Sequence, residues 1–109
     1  MMARLTEDSK GIFGEEQFAL MKPTAIFCNT ARAGLVDEDA MVRALKEKRI
    51  RGACLDTYSI EPLPADHPLI GMRNVTLMPH RCGSTMGMEQ NAMRVMFKTL
   101  RRYLDGEEV

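Results

Sequence analysis

The chain has 109 residues, with 15 Lys and Arg balanced by 15 Asp and Glu and no formal net charge. That length suits one small domain or part of a larger one. Interleaved charges in equal number speak against a nucleic-acid or membrane-surface partner.

No window is apolar over the roughly eighteen residues that a membrane-crossing helix needs, and the amino end Met-Met-Ala-Arg-Leu-Thr-Glu-Asp has no apolar signal region. The cysteines are Cys28, Cys54 and Cys82. An odd number without an export signal points to reduced thiols and a cytoplasmic location. Cys28 and Cys54 lie in apolar runs, so both are expected in the core.

Residues 1–11 are polar and contain no plausible first strand. Residues 12–21 read as a short helix, with Phe13, Phe18 and Met21 available for burial, and Pro23 bars its continuation. A first strand is expected over 24–29, with its β-propensity carried by Ile26 and Phe27. Arg32 follows just beyond, and Ala33-Gly34 turns the chain. A helix is expected from Glu38 to Lys48. Asp37 is its N-cap, and Val36 and Met41 stand at the positions of a hydrophobic staple. Glu38 and Asp39 in the first turn, and Lys46, Lys48 and Arg49 at the end, suit the helix dipole.

The second strand is expected over 52–57. A long connection with Pro62, Pro64 and Pro68 follows it, and such connections are often functional. The third strand is expected over 74–78. Ser84 or Thr85 then caps a last helix from Met86 to Leu104, and Gly106 stops it. Met93, Met96, Phe97, Leu100 and Leu104 recur along it at helical spacing.

This order reads as part of an α/β sheet with parallel strands. Three strands make a narrow sheet, so one edge is expected to keep unpaired backbone groups. Each strand runs into an ionisable group: Arg32, Asp56, and His80 with Glu61 in the preceding loop. In open α/β sheets the ligand crevice lies outside the carboxyl ends of the strands. A guanidinium fork suits a carboxylate, and a histidine beside a carboxylate suits proton transfer near neutral pH. His80-Arg81-Cys82 has the spacing of a metal-ligand pair, but no second pair completes it. His67 reads as loop structure.

Three stretches carry a resemblance: Leu20 to Ala40, containing Asn-Thr-Ala-Arg-Ala-Gly; Arg51 to Leu69, containing Leu-Asp-Thr-Tyr-Ser-Ile-Glu-Pro; and Asn74 to Thr85, containing Met-Pro-His-Arg-Cys-Gly. In this order and spacing the chain resembles the D-isomer-specific 2-hydroxyacid dehydrogenases. The resemblance implies an incomplete Rossmann-like, doubly wound parallel sheet with flanking helices. Residues 1–109 would be the second half of a nucleotide-binding domain, and helix 86–105 would dock on a substrate domain.

It also implies NAD or NADP as cofactor, a small 2-keto or 2-hydroxy acid as substrate, and a homodimer for the full-length family. Arg32 is implied to grip the substrate carboxylate, His80 to act as acid and base, and Glu61 to be its partner. Thr30, Ala31, Arg32, Asp56, His80, Cys82 and Gly83 are implied contacts of the cofactor. The sequence departs from the pattern in three ways. Gly-x-Gly-x-x-Gly is absent, Thr57 replaces the usual valine, and Arg81-Cys82 replace small or apolar residues. Two readings follow: a piece of an oxidoreductase, inactive by itself, or a non-catalytic piece that pairs through its sheet edge and last helix.

Overall fold

The structure is a computed structural model and describes residues 1–107. Its elements are α1 (Glu15–Ala19), β1 (Ile26–Asn29), a 3-10 turn (Ala33–Leu35), α2 (Glu38–Lys46), β2 (Gly52–Leu55), β3 (Val75–Leu77) and α3 (Met86–Leu104). The strands form one parallel sheet in the order β1-β2-β3.

Asp37 caps α2 as expected, its carboxylate accepting from the Ala40 N–H at 3.0 Å. That helix buries Ala40, Met41, Ala44 and Leu45. They meet the sheet face that carries Phe27, Ala53 and Leu55, and Leu35, Ile50 and Leu69 complete the cluster. Phe13, Phe18 and Phe27 pack as an aromatic trio with ring centroids 4.8–5.2 Å apart. Glu15 pairs with Arg43 and Arg49 and holds α1 against the end of α2.

Several expectations are corrected. The first helix is shorter than 12–21. Gly11 takes φ +64° and Phe13 lies extended, bridging Val36 in parallel, so helix begins only after Gly14. Helix α2 ends before Lys48, which turns left-handed at φ 55°. The strands are each shorter than expected. Cys28 is exposed and Cys54 only half-buried. They point from the sheet face opposite α2, which no helix among the described residues covers, so neither belongs to the core.

Of the two N-cap candidates for α3, Thr85 serves, accepting from the Met88 N–H at 3.1 Å. No side chain of α3 is buried, and Met93, Met96, Phe97, Leu100 and Leu104 all face solvent.

Candidate active site at the carboxyl ends of the strands

Because the sheet is parallel, the carboxyl ends of all three strands open on one edge. Asn29, buried at the end of β1, shapes the first loop. Its side chain donates to the Arg32 carbonyl at 3.0 Å and accepts from the Ala31 N–H at 3.1 Å. Thr30 is exposed beside this turn and Ala31 is half-buried. The Arg32 side chain is exposed, and one guanidinium nitrogen donates to the Ala31 carbonyl at 2.7 Å.

The loop from Tyr58 to Met72 is strapped to α2. Leu69 is buried in the core. His67 Nδ1 accepts from the Leu69 N–H at 3.3 Å, so Nε2 carries the proton and donates to Glu38 at 3.0 Å. Ser59 donates to the same carboxylate at 3.0 Å. The expectation that His67 is structural therefore has a definite form.

This strapped loop presents Glu61. Its carboxylate accepts from His80 Nδ1 at 2.8 and 3.0 Å and from the Tyr58 N–H at 3.0 Å. The His80 bond, then the Tyr58 bond, hold the Glu61 carboxyl below the usual carboxylate range. With Nδ1 turned to Glu61, His80 Nε2 has no partner among the described residues.

Behind His80 stands Asp56. It is 2% exposed, and its two oxygens accept from the backbone N–H groups of Arg81 and Cys82 at 2.7 and 2.8 Å. Burial alone would raise its carboxyl. The Cys82 and Arg81 bonds outweigh that and leave it lowered. Asp56 thus clamps the loop that begins at His80, and both its oxygens are engaged. Cys82 and Gly83 are exposed on that loop, and local desolvation of the sulfur by its neighbours, followed by the Asp56 carboxylate, pushes the Cys82 thiol up.

A cavity of about 350 Å³ opens beside the pair, lined by Tyr58, Leu63, Ile70, Leu77, Glu61 and His80 among others. Arg32 lines a different hollow, with Arg4, Leu5 and Ala31. The strand ends therefore bring Glu61, His80 and Asp56 into one cluster. Arg32 shares their edge of the sheet but not their cavity.

Two residues escaped the sequence reading. Asn29 had a signal, a polar side chain at a strand end that can bond its own turn. Tyr58 had none. Its hydroxyl lies 3.0 Å from the Leu55 carbonyl and 2.7 Å from that of Met78, tying the ends of β2 and β3 to the Glu61 loop.

Fold and cluster together define an α/β nucleotide-domain segment with a carboxylate–imidazole pair at its ligand edge. Residues 1–82 match the family described as D-isomer specific 2-hydroxyacid dehydrogenase, NAD binding domain, and the chain belongs to that family. Its cofactor class is accordingly the nicotinamide dinucleotides.

The chain is 44% identical over 103 residues to the D-3-phosphoglycerate dehydrogenase of Methanocaldococcus jannaschii, covering 94% of this chain and 20% of that protein. It is 42% identical over 103 residues to the glyoxylate reductase of Thermofilum pendens, covering 94% of this chain and 30% of that one. Among solved structures it resembles the D-isomer specific 2-hydroxyacid dehydrogenase of Xanthobacter autotrophicus Py2, in complex with NADPH and MES. The TM-score is 0.84 and the identity 35%, over 99% of this chain and 44% of that one. The chain thus spans between a fifth and a third of the length of these two curated relatives.

Proposed function

We propose that this chain carries the proton-handling part of an oxidoreductase that interconverts 2-keto acids and D-2-hydroxy acids with NAD or NADP. The observation that carries the reading is the Glu61–His80 contact at 2.8 Å, with Nε2 left free. In reduction, His80 Nε2 gives its proton to the carbonyl oxygen as negative charge develops there. In oxidation, the same nitrogen takes the proton from the hydroxyl. Glu61 fixes the orientation of the ring through Nδ1. Arg32 turns its fork from the Ala31 carbonyl to the substrate carboxylate. It needs this mobility because it starts outside the cavity of the pair.

The nicotinamide end of the cofactor fits what is present. Thr30 and Ala31 at the end of β1 and Cys82 and Gly83 on the His80 loop are available to hold it, with Asp56 keeping the latter loop in place. When bound, the cofactor supplies the hydride. The pyrophosphate end has no such fit. Helix α2, which follows β1, opens with Asp37, Glu38 and Asp39, and this acidic first turn repels phosphate. Residues outside this chain hold that end, so the chain by itself neither binds the dinucleotide tightly nor turns over.

The apolar stripe of α3, wholly exposed, is where the substrate domain of a longer polypeptide docks. The same exposure favours a second reading, in which the chain is a non-catalytic piece that pairs through α3 and the free edge of β1.

A hybrid enzyme separates the two. This chain would replace the matching segment of the Thermofilum glyoxylate reductase, with NADH binding as the check on folding and glyoxylate as substrate. The first reading expects turnover, lost by about 10²- to 10⁴-fold in His80→Gln with NADH binding kept. A hybrid that binds NADH but does not turn over, or is indifferent to His80→Gln, supports the second.

A further inference from the structure

The uncovered face of the sheet carries a pair of thiols that the reading above does not use. In the parallel register Cys28 of β1 stands opposite Cys54 of β2. Paired residues of neighbouring strands point to the same face, and the alternation of burial along β1 puts Cys28 on the solvent side. Adjacent strands lie about 4.7–4.9 Å apart, inside the roughly 4.4–6.8 Å that separates the Cα atoms of a disulfide. Parallel side chains keep their Cβ atoms near that spacing too, slightly beyond the roughly 3.5–4.5 Å that a relaxed bridge needs. Strand β1 must therefore lean towards β2. It can do so because it is an edge strand of four residues with another strand on one side only, the Met1 ammonium donating to the Cys28 carbonyl on the other.

We propose that Cys28 and Cys54 are a reversible redox-modification site, closed to an intrachain disulfide by exchange with small-molecule disulfides of the glutathione type. The Cys28 thiolate attacks one sulfur of the reagent, forming a mixed disulfide and expelling one thiolate. The Cys54 thiolate then attacks the Cys28 sulfur and expels the second. The two protein thiols lose two protons and two electrons, and the reagent leaves as two thiols. Because the bridge strains the strand spacing, it is readily reduced again.

Cys82 is the competitor. It stands on the His80 loop and not on the strand pair, its Sγ is 3.6 Å from Met78 Sδ, and desolvation and Asp56 push its thiol up. The bridge would join the strand whose Asn29 shapes the Arg32 turn to the strand that runs into the Asp56 clamp.

The test treats the native 109-residue chain with oxidised glutathione, followed by intact mass and peptide mapping. The expected result is a fall from three free thiols to one, a mass lower by two hydrogens, and a single cross-link between Cys28 and Cys54. Cys82→Ser should close equally well, Cys28→Ser should not close, and reduced glutathione in excess should reopen the bridge. Stable glutathione adducts without closure, a cross-link that includes Cys82, or chains linked to each other would overturn the proposal. So would closure only after denaturation.

Discussion

At His80 the backbone is left-handed, φ 54°, a conformation uncommon for a residue with a Cβ. Two contacts hold it there: the Glu61 carboxylate on the ring, and the Asp56 carboxylate on the next two N–H groups. Both carboxyls are lowered by these bonds. A group lowered by folding stabilises the native state above its unfolded pKa, about 3.9 for Asp and 4.3 for Glu. That contribution is lost as pH falls through the folded value. Amide exchange at Arg81 and Cys82, taken relative to the intrinsic rate at each pH, should therefore be slow at neutral pH and quicken well below pH 4. In Asp56→Asn it should be fast already at pH 7, because an amide nitrogen would face an N–H; equal exchange in both chains would remove the clamp.

Thr57 gives a second test. Its hydroxyl is buried without a partner among the described residues, at the position where the resemblance expects valine. Thr57→Val should stabilise the chain by about 1 kcal/mol in urea unfolding; a loss of stability would mean that the hydroxyl is satisfied.

Elements were legible where local chemistry and tertiary packing agree. Asp37, the staple and the charge order fixed the start of α2, and Thr85 with Gly106 bounded α3 to the residue. Residues 12–21 were misread in length because an apolar Phe13 can be buried from an extended segment as readily as from a helix, and here it is extended and pairs with Val36. That pairing depends on a segment distant in sequence. Cys28 was misread because an apolar neighbourhood says nothing of which sheet face lacks a cover. The cluster of Glu61 and His80 was legible through its motifs. The separate hollow of Arg32 was not, since it depends on how the first residues fold back along the loop.

Close packing at Gly52 is testable at this scale. A Cβ there would collide with the Asn74 carbonyl, which accepts the Ala53 N–H at 2.9 Å and begins the β2–β3 ladder. Gly52→Ala should destabilise the chain by about 1–3 kcal/mol by thermal or urea unfolding. An unchanged midpoint would show that β3 pairs less closely than described.

As a molecule the chain is long for its size. Its radius of gyration is 18.4 Å, against about 13 Å expected for a compact domain of this length, and it extends 60 Å along its major axis. The excess is α3, which projects its apolar side chains into solvent. On the proposed reading this exposed apolar stripe is an interface. Small-angle scattering of the dilute chain should return a value near 18 Å, and amides within residues 86–104 should exchange much faster than those of β2. A compact 13 Å particle, or α3 protected as well as β2 in a monomer, would mean that the helix folds back onto the bare sheet face and that no partner surface is missing.

This segment by itself assembles a carboxylate–imidazole pair. The most direct measurement is an NMR pH titration of the Glu61 side-chain carboxyl in the 109-residue chain and in its His80→Gln variant. The expected midpoint lies below the usual glutamate range in the native sequence and moves up towards that range when the imidazole is removed, because His80 is the largest influence that lowers it. The same midpoint in both chains would mean that Glu61 and His80 are not paired in solution.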